Sequence, residues 1–107
     1  MELYDKAVRT YHGAADRLID GDPCYVYWIH LTPATSGTLG NCIIRNGRGT
    51  DGSIAWEVST EHGRPFNFHP PIRCDDGVYV DIDSNISDFT IGYLPASVVE
   101  AKGESEV

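Results

Sequence analysis

The feature of this sequence that most constrains its fold is its punctuation. Gly, Pro, Asn or Asp recurs every several residues, and between these breaks apolar residues alternate. A period of two places every second side chain on one face, the pattern of a half-buried strand. No helical period of convincing length competes with it; residues 98–102 (VVEAK) are the best candidate, and they are few. About eight short strands in about ninety residues predict an all-β fold, a single small β-sandwich or jelly roll. The 107 residues allow one domain. At 41% hydrophobic the chain can bury a core, which excludes a fully disordered segment.

The strongest segment is 24–32, Cys24-Tyr25-Val26-Tyr27-Trp28-Ile29-His30-Leu31-Thr32, opened by Pro23 and stopped by Pro33. Both of its faces are apolar, so it reads as a central strand. Further strands are expected at 41–45, 54–58, 66–68, 72–74, 78–82 and 89–94. Residues 6–11 and 17–20 are candidates ahead of them, with 13–16 open to a helical turn. Strict alternation in at least three segments predicts a core of Val26 or its neighbours, Trp28, Ile44, Ile54, Trp56, Val58, Phe66, Phe68, Val78, Val80, Ile82, Phe89, Ile91 and Tyr93. The organisation expected is an N-terminal arm over 1–5, a sandwich over 6–95 and an acidic, mobile C-terminal tail over 96–107.

Eight Lys and Arg against sixteen Asp and Glu give a net charge of -8. That excludes the basic surface nucleic-acid binding needs. No apolar run is long enough for a membrane helix. The first residues lack the basic-then-apolar order of a signal peptide. Cys24, Cys42 and Cys74 are odd in number, lie in apolar stretches and form no C-x-x-C pair. They read as buried thiols of a protein made in a reducing cytoplasm.

Candidate chemistry is thin. Asp81-Ile82-Asp83-Ser84-Asn85 opens like a calcium loop, but Ile86 and Gly92 stand where that loop needs Gly and Glu. It reads as a strand end followed by an Asx turn. His30, His62, His69, Cys42 and Cys74 lack the short spacings of a zinc site. Gly47-x-Gly49-x-x-Gly52 matches a phosphate-loop pattern, yet a strand rather than a helix follows it, so it reads as a hairpin tip. Asp75-Asp76 precede Gly77 and read as turn chemistry. With no nucleophile motif, no enzyme and no cofactor are expected.

What remains is surface. Tyr25, Tyr27, Ile29 and Leu31 share one parity of the 24–32 strand, with Trp28 on the other. They therefore form a candidate apolar ladder on an outer face, a subunit interface if the core does not cover it. Leu3 and Tyr4 add apolar side chains to the N-terminal arm.

The ordered pattern from 41 to 93 resembles a family of small virion proteins of tailed bacteriophages. Its pieces here are Cys42-Ile43-Ile44-Arg45-Asn46-Gly47, Gly52-Ser53-Ile54-Ala55-Trp56, the corner Phe66-Asn67-Phe68-His69-Pro70-Pro71-Ile72, Asp76-Gly77-Val78-Tyr79-Val80 and Phe89-Thr90-Ile91-Gly92-Tyr93. The resemblance covers about half the chain. It departs from the family at Asn46, where Asp is more usual, and in its acidic end. It implies a non-catalytic β-sandwich on a capsid or tail surface. The expected role is a capsid decoration or cement protein on the virion exterior. Its partners would be the major capsid protein and copies of itself, with a trimer suited to local threefold positions. A tail or fibre component, or a carbohydrate-binding module on the same fold, is the alternative. Aromatic residues at a loop tip would favour sugar binding; the tips at 46–52 and 61–64 carry no Trp or Tyr.

Overall fold

The computed structural model describes residues 8–105, the side chains of 101–105 excepted. Eight strands run in chain order: β1 (Arg9–Gly13), β2 (Arg17–Asp20), β3 (Cys24–Pro33), β4 (Gly40–Asn46), β5 (Ser53–Thr60), β6 (Arg64–Cys74), β7 (Val78–Ile82) and β8 (Ile86–Pro95). A helix, α1 (Ala96–Ser105), follows them. The strands form two four-stranded sheets, a front sheet ordered β1-β8-β3-β6 and a back sheet ordered β2-β7-β4-β5. All pairings are antiparallel.

This wiring has a simple origin. β1 pairs β8, β2 pairs β7, β3 pairs β6 and β4 pairs β5. The chain is thus one long hairpin folded about the β4–β5 turn. Rolling the hairpin adds the pairs β3·β8 and β4·β7 and divides it into two layers. The result is a jelly-roll sandwich. The hairpin tip is the glycine-rich run, where the Gly52 N–H donates to the Gly49 carbonyl at 3.1 Å. The Asp75-Asp76-Gly77 turn needs its glycine. Gly77 has φ +117°, and a Cβ there would lie 2.9 Å from the Asp20 carbonyl oxygen.

The core lies between the sheets. Cys24, Val26, Ile29, Leu31, Cys42, Ile44, Cys74, Val78, Val80, Phe89 and Ile91 are fully buried in it. Trp56, Val58, Phe66, Phe68, Ile82 and Tyr93 pack against it half-buried. The open side between β5 and β6 is closed by Trp56, whose ring meets Phe66 and Phe68 edge-on, each at 5.1 Å. Burial lifts the pKa of Cys24 and Cys42 from 9.0 to about 12 and that of Cys74 to about 11, because a thiolate there would lose its water. All three cysteines are free thiols.

Two expectations about the core are corrected. Ile54 is 55% exposed rather than inward. Its neighbour Ala55 is an extra residue: Ile44 opposes Trp56 while Arg45 opposes Ile54. Trp28 is turned out of the core, and Ile29 and Leu31 are turned in. Against β8, Val26 opposes Tyr93 and Trp28 opposes Gly92, so Tyr27 is the inserted residue of a β-bulge. A bulge shifts the parity of all that follows it. Opposite it, four residues of β6, Phe68 to Pro71, lie between the partners of Trp28 and Val26. Pro70 and Pro71 have no N–H to offer a ladder, so this irregularity falls on an edge strand.

At the other end, α1 stands where a C-terminal tail was expected. Its first residue is tied down by a hydrogen bond from the Ala96 N–H to the Pro23 carbonyl at 2.9 Å. The N-terminal arm, with Leu3 and Tyr4, lies outside the described residues.

Candidate functional site

The outer face of the front sheet carries the most distinctive arrangement. One cross-strand row runs through all four strands: Thr10 opposes Gly92, Gly92 opposes Trp28, and Trp28 opposes Asn67. Gly92 is the gap in that row. A Cβ on it would lie 2.3 Å from the Trp28 Nε1 and 2.4 Å from its Cε2. The indole therefore covers the β8 backbone in the space that a side chain would fill. Glycine inside a strand often marks such a close approach. The bulge and the glycine act together: one turns Trp28 outward and the other gives it a seat.

A cleft of about 350 Å³ opens here, lined by Val8, Thr10, Tyr27, Trp28, Asn67 and His69. Consecutive aromatic residues, Tyr27 and Trp28, line one cleft because the bulge breaks their alternation. No Asp, Glu, Lys or Arg is among these lining residues. Among the described residues, the side chains of Thr10, Asn67 and His69 are in no hydrogen bond or ion pair. Next to them on this face, one polar pair is closed. The His12 ring nitrogen Nδ1 and the Thr90 hydroxyl are 2.8 Å apart.

The α1 end of the same face is closed by a charged knot. Arg73 on β6 stacks over the Tyr25 ring, with 5.3 Å from its guanidinium carbon to the ring centre. It donates to the Tyr25 hydroxyl at 2.9 Å and to Asp75 at 2.6 Å, and pairs with Glu100 of α1. The Tyr25 hydroxyl donates to Glu100 at 3.2 Å. Hydrogen bonds from Arg73 to Asp75, then Tyr25, then Glu100 raise its pKa further and keep it charged.

The interface set expected from sequence is thereby divided. Tyr25 belongs to the knot and Tyr27 to the cleft. Ile29 and Leu31 are fully buried in the core and are withdrawn from any outer ladder. Trp28 takes the outward place instead. Sequence reasoning assigned it inward, and missed Asn67, Thr10 and the His69 contribution to one cleft. Two signals pointed there: an isolated glycine within the 89–94 strand, and a 24–32 segment that no single alternation can satisfy.

The acidic turns behave as loop chemistry. The Asp76 N–H donates to the Asn46 side chain at 2.8 Å, and the Asn85 N–H donates to the Asp83 carboxylate at 3.0 Å. Among the described residues, no three His, Cys, Asp or Glu side chains are grouped to hold a metal ion. Comparison of the chain with protein-family models, with curated proteins and with solved structures returned no match.

Proposed function

We propose that this chain is a non-catalytic structural protein on the exterior of a tailed-phage particle, a decoration or cement protein. It attaches to the major capsid protein and to copies of itself and strengthens the shell against internal pressure. The observation that supports this reading is the order in which the resembling segments fall on the sandwich. They occupy five consecutive strands, β4 to β8, with Gly47 and Gly52 at the β4–β5 turn and Gly77 at the β6–β7 turn. The acidic balance suits a surface that faces away from packaged DNA.

Attachment is assigned to the apolar N-terminal segment with Leu3 and Tyr4 and to the neighbouring copy or capsid subunit that it would cross. Copy number in purified particles, measured by quantitative mass spectrometry, tests the reading. On the order of hundreds of copies per particle is expected for a shell protein, from the repetition of capsid symmetry. Tens or fewer would move the chain to the tail or fibre, and its absence from particles would overturn the virion reading. Removal of residues 1–5 is expected to lower occupancy on particles without changing the melting temperature of the free protein.

A further inference from the structure

The cleft at Trp28 has a composition that a plain solvated face does not need. An indole set over a glycine is supported from below by backbone, so it cannot sink further into the sheet. Its outer surface is a rigid apolar plate in the centre of a four-stranded face. The electron-rich face of an aromatic ring attracts the slightly positive C–H edges of a ligand. Around the plate stand Thr10, Asn67 and His69, whose polar groups have no partner among the described residues. A hydroxyl, an amide and an imidazole supply both donors and acceptors at separated points. A ligand that offers a flat C–H surface ringed by hydroxyl groups matches both features at once.

Charge narrows the class. The chain is 22% charged residues, yet no charged side chain is among the residues lining this cleft. An anionic or cationic ligand would gain no ion pair there from the described residues, and an anion would also meet a protein of net charge -8. The volume, about 350 Å³, lies at the small end of ligand sites.

We propose that the Trp28 cleft on the outer face of the front sheet binds a neutral saccharide, with one pyranose ring stacked on the indole and its hydroxyls held by Asn67, His69 and Thr10. This goes beyond the shell-protein reading and does not require it. A particle protein with such a site would adhere to uncharged surface glycans; a free one would bind them equally.

The test uses the isolated full-length chain. Its tryptophan emission is followed while maltohexaose, cellohexaose, chitohexaose and mannohexaose are each titrated to about 10 mM, enough to fill any site of millimolar Kd. At least one neutral oligosaccharide is expected to shift the emission saturably. Binding, followed by ligand-observed NMR, is expected to weaken at least about tenfold in Trp28→Ala and to survive in Trp56→Phe. Trp28→Tyr, which keeps a ring, is expected to retain part of the affinity and guards against a mere folding defect. Asn67→Ala and His69→Ala are expected to weaken binding about threefold to tenfold each, as lost hydrogen bonds. Absence of any response to all four sugars overturns the proposal, as does binding that persists in a folded Trp28→Ala variant. A preference for the acidic control sialyllactose over every neutral sugar overturns it too. None of these outcomes bears on copy number in particles, so the two readings fail separately.

Discussion

The two outer faces of the sandwich are built on the same four-stranded plan, yet the polar side chains around Trp28 and those around β4 are used differently. On the back sheet, several of those on β4 and the strands beside it satisfy one another. The Asn41 amide donates to Glu57 at 3.1 Å, and the Ser59 hydroxyl donates to Asn41 at 2.8 Å. Arg45 donates to Asp81 and to the Gly52 carbonyl, each at 3.0 Å. On the front sheet, the side chains of Thr10, Asn67 and His69 beside Trp28 are in no hydrogen bond or ion pair among the described residues. A face that spends its hydrogen bonds internally is finished as a solvated surface. A cleft that sets the side chains of Thr10, Asn67 and His69 around an aromatic plate has the composition of a ligand site.

The difference begins in two strands. β3 and β4 each run between two neighbours and each supply the middle of a layer. β4 alternates without a break: Gly40, Cys42 and Ile44 are buried, and Asn41, Ile43 and Arg45 are half-buried on the other side. β3 alternates only up to Val26, then restarts one residue out of phase after Tyr27. The bulge adds one inserted residue to the ladder and gains an outward tryptophan.

The largest expected effect comes from the thiols, which treat the two strands alike. Cys24 of β3 and Cys42 of β4 both point inward, and Cys74 joins them. Their folded pKa values lie above the ordinary 9.0, at about 12, 12 and 11. The folded state therefore holds protons that the unfolded chain releases above pH 9. Stability is expected to be flat in these groups below pH 9 and to fall as pH rises towards 11–12. Urea titrations across that range check it. A Cys42→Ala variant is expected to show a shallower fall.

Leu31→Ala tests the parity after the bulge. It is expected to cost about 2–5 kcal/mol, because it opens a cavity in the core. Ile43→Ala, on the outer side of β4, is expected to cost under about 1.5 kcal/mol, since that side chain is only half-buried. Equal costs would erase the distinction between the strands.

Gly92→Ala tests the seat of the indole. The added methyl meets the ring, so Trp28 must move, at about 1–3 kcal/mol. Tryptophan emission is expected to shift to the red, and a Trp56→Phe background isolates the signal. Arg45→Ala, on the back sheet, is expected to cost about 1–2 kcal/mol, as a half-buried residue that loses two hydrogen bonds.

The parts of this molecule legible in the sequence are those governed by local pattern. β7 occupies 78–82, where alternation put it, β2 occupies the candidate segment 17–20, and the glycine-rich run is the hairpin tip it resembled. The exceptions all depend on distant partners. Whether Tyr27 or Ala55 is looped out is decided by the register of a facing strand, which leaves no mark at the residue itself. The length of β6 follows from its pairing with β3 on both sides of the proline corner. Gly92 and the broken alternation of 24–32 marked where the sheet departs from pattern, but the make-up of the cleft depends on distant partners too. Thr10, Trp28, Asn67 and His69 come from three strands, with Gly92 from a fourth, and only the roll brings β1 and β6 to opposite edges of one sheet. The expected outward ladder failed at Ile29 and Leu31 because one inserted residue exchanged the two faces.

That inserted residue is the centre of the account, and deleting it is the most direct test. Without Tyr27, the sequence of β3 alternates cleanly: Cys24, Val26, Ile29 and Leu31 inward, and Tyr25, Trp28 and His30 outward. Thermal unfolding of the Tyr27 deletion, followed by near-ultraviolet circular dichroism, is expected to stay cooperative, with a midpoint lowered by less than about 10 °C. Deletion of His30 is expected to expose Leu31 and abolish the folded state. Loss of folding on Tyr27 deletion, matching that of the His30 deletion, would contradict the bulge and with it the outward placement of Trp28.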